Sequence, residues 1–187
     1  MRRVFCKVLC SVIITSIFVS ILALVVPMIS FGKSLDAVAA DAARMYGIEA
    51  YTIEFKDKLT NSNGSRVNGL YLGFVMVEGQ PVHQIRVQNS IFRPTVVATI
   101  FHEFAHAAQT QFNLDLGEYN KEQHAEILSF GVMWANGYWW DALHLLTLHT
   151  VGGKPADYRA AGELWNIATT ATAQTTVTAF MANSITA

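Results

Sequence analysis

Cysteine is almost missing from this chain, and charge is scarce. Only Cys6 and Cys10 occur, so the stretch from Lys33 to Ala187 can form neither an internal disulfide nor a thiolate zinc cluster. Charged residues make up 14% of the 187 and the net charge is −1, which leaves no basic surface of the kind a nucleic-acid partner needs. Internal repeats are lacking too. Disorder is excluded from the other side, because 52% of the residues are hydrophobic and the mean hydropathy is +0.30. The length suits one domain of ordinary size.

The apolar residues are concentrated at the start. Arg2, Arg3 and Lys7 precede an uncharged run of 25 residues from Val8 to Gly32. As a helix this run would extend about 37 Å, enough to cross a bilayer with some tilt. Residues 1–32 are therefore expected to be a signal peptide or a transmembrane anchor. The basic start fits both, and the run is longer than the roughly 7–15 apolar residues of a signal peptide. In either case the remaining domain, 33–187, lies outside the cytoplasm, either anchored in the membrane or secreted or periplasmic, since positive charges stay inside. That domain carries 10 Lys and Arg against 14 Asp and Glu, which gives it no attraction for anionic headgroups.

Within residues 33–187 the pattern alternates between helical and extended periods. Ser34 can cap a helix running to Tyr46, with Gly47 ending it. Leu35, Val38, Ala39, Ala42, Met45 and Tyr46 give it one apolar face. Tyr51–Phe55 reads as a strand, residues 61–69 as a loop, and Leu70–Val77 as a second, more buried strand. After a turn at Gly79–Pro81, Val82–Gln88 alternates like an edge strand. Pro94 opens a helix to about Asn113, and Lys121 to about Ala135 forms another, ended by Asn136-Gly137. Further helices are expected over Tyr138–Thr150 and Ala156–Ile167. The fold class is thus α+β, with a small antiparallel or mixed sheet packed on one helix, further C-terminal helices, and an N-terminal hydrophobic helix.

The helix after Pro94 contains His102-Glu103-Phe104-Ala105-His106. Positions i and i+4 of a helix share a face, so His102 and His106 can present two imidazoles to one ion. Glu103 lies to the side, where its carboxylate can reach a water on that ion. This is the arrangement of a zinc site with an adjacent general base. The flanking Val96, Val97, Ile100, Phe101 and Phe104 predict a buried helix, in which unpaired polar groups would be costly.

A catalytic zinc needs a third protein ligand and an open fourth position. Glu122, 16 residues past His106, opens the next helix, with Glu126 one turn further on the same face. Glu122 is the candidate third ligand. Glu126 is placed to accept the other ring N–H of His102 or His106, fixing its orientation. Glu118, His124 and Glu126 itself stand as alternative third ligands.

HEFAHAAQ followed by EQHAE and an apolar helix resembles the gluzincin metallopeptidases, especially their small single-domain members. The likeness covers roughly residues 50–137. The spacing to Glu122 is short for that family, and Glu126 stands where Asp is usual. The resemblance implies a zincin-like fold, a Zn2+ cofactor held by His102, His106 and Glu122, Glu103 as the base, and Glu126 as the supporting acid. It implies hydrolysis of a peptide or protein substrate. The strand Val82–Gln88 would then align an extended peptide. His144, His149, Tyr138 and Tyr119 are candidate oxyanion donors. His83 is expected at the surface. Trp134, Tyr138, Trp139 and Trp140 are expected to pack between the last helices, with a membrane-interface or substrate-pocket position as the alternative, since Trp and Tyr also favour half-wet sites.

Two other classes remain open on sequence alone. One is a zincin-like protein that binds metal or peptide without turnover. The other is a membrane-tethered interaction domain in which HEFAH is coincidental. Metal content and the effect of Glu103→Gln separate the three.

Overall fold

The computed structural model describes residues 32–114, 116 and 120–152, with side chains to residue 148. The N-terminal run up to residue 31, Glu118, Tyr119, the His149 side chain and the helix expected over Ala156–Ile167 lie outside the described residues. Among the described residues no helix is long and apolar enough to cross a membrane.

Helix α1 spans Leu35–Tyr46. Its ends follow from capping chemistry. The Ser34 side chain accepts a hydrogen bond from Ala37 N–H, and Gly47 takes φ 68°, a left-handed turn that lets its N–H reach back to the last carbonyls. Val38, Ala39, Ala42, Ala43 and Tyr46 face inward.

Three strands follow, β1 (Tyr51–Lys56), β2 (Gly69–Val77) and β3 (Gln80–Gln88), in the order β1-β3-β2. β1 runs parallel to β3, while β2 and β3 form an antiparallel hairpin. Its two-residue turn is Glu78-Gly79, at φ 50° and 81°, a conformation matched to strand twist. The sheet is therefore mixed, and β3 is its central strand. The expectation that Val82–Gln88 forms an edge is corrected. The alternation misleads because one face of the sheet is solvated: His83, Ile85 and Val87 are buried while Arg86 is exposed, so a central strand shows the same period of two as an edge. The second strand differs as well. Leu72, Phe74, Val75, Met76 and Val77 are all exposed, although a continuous apolar run suggests burial. A register shift between Tyr71 and Phe74, with Gly73 at φ 93°, separates this outer half from the Gly69–Tyr71 half.

Helix α2 (Arg93–Gln111) has Pro94 in its first turn, where the missing N–H costs nothing. Fourteen of its 19 residues are buried, which makes it the central helix rather than a surface one. The sheet meets it through Tyr51 on Phe104, with ring centroids 5.0 Å apart. Helix α3 (Lys121–Ala135) opens with a capping box between Asn120 and Gln123. Helix α4 (Trp139–Gly152) closes the described fold, and Tyr138 just before it packs on Phe101 at 4.9 Å. Of the expected aromatic cluster, Tyr138 is buried and Trp134 stacks on Phe130 at 5.7 Å, but Trp139 and Trp140 are exposed. Consecutive residues at a helix start point about 100° apart, so Tyr138, Trp139 and Trp140 cannot all face inward.

Candidate metal centre

The capped start of α3 brings Glu122 back over the middle of α2. His102 Nε2 and His106 Nε2 face each other at 3.0 Å, and Glu122 Oε2 stands 3.2 Å from the first and 3.4 Å from the second. These three form a group able to hold a metal ion. Donor atoms on a tetrahedral ion with arms of about 2.0–2.1 Å lie about 3.3 Å apart. The three observed separations match the edges of one tetrahedral face, and all three residues line a common cleft of about 360 Å³, which leaves the fourth vertex accessible.

The orientation of His106 follows from its neighbours. The Gln109 amide nitrogen donates to the Lys121 carbonyl at 2.9 Å, and a carbonyl can only accept. The amide oxygen of Gln109 must then be the atom facing His106 Nδ1 at 2.9 Å, so Nδ1 carries the proton. In the neutral ring, His106 Nε2 thus turns a lone pair toward His102. Two imidazole nitrogens 3.0 Å apart need a proton or a metal ion between them. With His106 Nε2 as acceptor, the proton lies on His102 Nε2, and that ring favours its charged form. Burial works against it, but Glu122, Glu126 and Glu103 together outweigh burial and push the His102 pKa up to about 10. The Glu122 carboxyl is held well below the usual carboxylate range by the two imidazoles beside it, His102 and His106. Both shifts describe a site that favours a cation.

Glu103 is buried in the wall of the same cleft. Burial pushes its carboxyl pKa up, against the pull of the two histidines. It fits because β2 passes with Gly69 at the point of contact, where a Cβ would fall 2.4 Å from Glu103 Oε1. Glu126 lies on the far side of His102, with Oε1 3.6 Å from Nδ1, an ion-pair separation rather than a hydrogen bond. It is therefore beside His102 and not a third donor. His124 is buried and its Nδ1 accepts from Gln109, so it too stands outside the triangle.

The candidate oxyanion donors fare less well. The Tyr138 hydroxyl donates to Asp41 at 2.5 Å, in the core and away from the cleft. His144 Nε2 is bound to Thr95 Oγ1 at 2.8 Å. His83 is fully buried rather than at the surface, between the Tyr71 hydroxyl and Gln111, each at 2.9 Å. The cleft instead brings in Tyr71 and Lys121, with Lys121 Nζ 5.9 Å above the Tyr71 ring. Gln109, Gly69 and Tyr71 were not singled out from sequence. Gln109 was within reach of that reading, three residues past His106 on the same helix face. The β2 residues were not, because their approach depends on tertiary packing.

No protein-family model, no curated protein and no solved structure matches the chain.

Proposed function

We propose that this chain is a zinc-dependent metallopeptidase in which His102, His106 and Glu122 hold Zn2+ and Glu103 is the general base. The observation that carries this reading is the triangle of two imidazole nitrogens and one carboxylate oxygen, with edges of 3.0, 3.2 and 3.4 Å, beside a buried glutamate. Two imidazoles and a carboxylate with an open fourth position are the donor set of a catalytic zinc.

Bound there, Zn2+ supplies Lewis-acid polarisation of a scissile carbonyl and acidifies the attacking water. Glu103, in the cleft wall with its pKa raised by burial, would take a proton from a water in the cleft and pass it to the leaving amine. Gln109 holds His106 in the tautomer that offers Nε2, and Glu126 steadies His102 from behind. Because β3 is central, peptide alignment by main-chain hydrogen bonds belongs to the free edge of β2, whose Gly69, Leu70 and Tyr71 line the cleft. Residues 1–32 serve as a membrane anchor in this reading, with the domain 33–187 on the side away from the cytoplasm.

The test is paired. The purified full chain should retain about one zinc and cleave unstructured peptides. Glu103→Gln should keep the metal and lose hydrolysis. Zinc without Glu103-dependent cleavage would make the protein a metal binder, and no retained zinc would make the motif coincidental.

A further inference from the structure

A helix at the surface of a soluble domain ordinarily turns charged or polar residues outward. Among the described residues α4 turns no charged side chain outward. Projected at 100° per residue, Trp139, Leu143, Thr147, Trp140, His144 and Leu148 lie on one half of the helix, with Ala142, Leu145 and Leu146 buried on the other. That outward half carries no Asp, Glu, Lys or Arg. Trp139, Trp140, Leu143 and Leu148 are 41%, 46%, 40% and 47% exposed. Phe92, 61% exposed, extends the patch from the start of α2, its ring 5.2 Å from that of His144.

The chain enters the fold beside this patch. The Lys33 carbonyl accepts a hydrogen bond from Arg93, next in sequence to Phe92. The Lys33 ammonium pairs with Asp41 and sits 3.4 Å from the hydroxyl and 5.5 Å from the ring centroid of Tyr138, next in sequence to Trp139. Lys33 is thus pinned between the starts of α2 and α4. The uncharged run of 25 residues ends at Gly32, immediately before it.

We propose that the outward face of α4, together with Phe92, rests on the surface of the phospholipid bilayer that the N-terminal run enters. A run crossing that bilayer ends one residue from the pin, so no linker separates the membrane from the patch. Trp rings favour the half-wet headgroup level, where an indole N–H stays hydrogen-bonded while the ring leaves water. The Trp139 indole already has its partner in the Trp134 carbonyl at 2.8 Å. The nine residues from Arg93 to His102 place the cleft about 14 Å along α2 from the pin, within reach of segments that emerge close to the bilayer. The inference rests on the anchor reading of residues 1–32 and uses no part of the metal site, so it stands or falls separately from the peptidase reading.

The test is lipid quenching. The full chain is reconstituted into phosphatidylcholine–phosphatidylglycerol vesicles, with and without bromine on the upper acyl chains, as wild type, as W134F/W165F and as W139F/W140F. Expected is loss of tryptophan emission in brominated vesicles for the wild type and W134F/W165F, with that quenched component gone in W139F/W140F. Equal quenching in wild type and W139F/W140F would overturn the proposal. So would emission from Trp139 and Trp140 that brominated lipid leaves untouched. In that case acrylamide protection would assign the face to residues 153–187 or to a second copy of the chain.

Discussion

Gly69 on β2 lies directly against Glu103 on α2. A Cβ at Gly69 would fall 2.4 Å from Glu103 Oε1, 2.5 Å from Thr99 Cγ2 and 2.8 Å from Glu103 Cγ. No real side chain tolerates three such approaches, so Gly69→Ala must push the carboxylate or the strand away. The expected outcome is a loss of about 1–3 kcal/mol of stability from overpacking, a large fall in kcat, and an unchanged zinc content. Denaturant melts, peptide turnover and metal analysis on one preparation check it. Wild-type turnover in Gly69→Ala would mean that Glu103 is not positioned by this contact.

Gln109 supplies a second prediction. Its amide joins His106 on one side to the Lys121 carbonyl and His124 on the other, tying the ligand helix to α3. Gln109→Leu leaves the His106 Nδ1 proton buried without an acceptor and lowers zinc affinity by about 10–100-fold. Gln109→Glu keeps an acceptor toward His106 and should lie closer to wild type. Competition against a chromophoric chelator reads both.

Acid stability reports on the N-terminal pin. Burial alone raises the Asp41 pKa, but hydrogen bonds from Lys33, Tyr138 and Arg44 outweigh it and hold the carboxyl at about 2. A carboxyl depressed in the folded state contributes stability that is present above its ordinary pKa near 4 and is lost as pH falls through about 2. The network is half-buried, so solvent screening leaves about 1 kcal/mol. Urea midpoints of wild type and Asp41→Asn should therefore differ at pH 5 and converge towards pH 2. A constant difference across that range would show that the ionised carboxylate does not stabilise the pin.

Much of this arrangement was legible in the residues themselves. Local chemistry set the helix ends, through Ser34, Gly47, Pro94 and the stop at Asn136-Gly137. The i, i+4 spacing of His102 and His106 places two imidazoles on one face, and the loop after α2 is short enough to return the start of α3, with Glu122 among several candidate acids, toward them. Strand order was not legible, since a central strand in a sheet with one wet face alternates as an edge strand does. That ambiguity carried His83 to the wrong side: its polarity suggested the surface, but Tyr71 and Gln111 satisfy both ring nitrogens in the core. The exposure of Trp139 and Trp140 is not legible in the sequence for a related reason. Hydrophobicity says that a ring avoids water but not what covers it.

The central claim is that two imidazoles and one carboxylate close on a single zinc. X-ray absorption at the zinc edge of the loaded full chain tests it most directly. The account expects a shell of nitrogen and oxygen at about 2.0–2.1 Å with two imidazole rings, altered in Glu122→Gln. A sulfur shell at about 2.3 Å, from Cys6 or Cys10, or zinc that dialyses away from the wild-type chain, would contradict it.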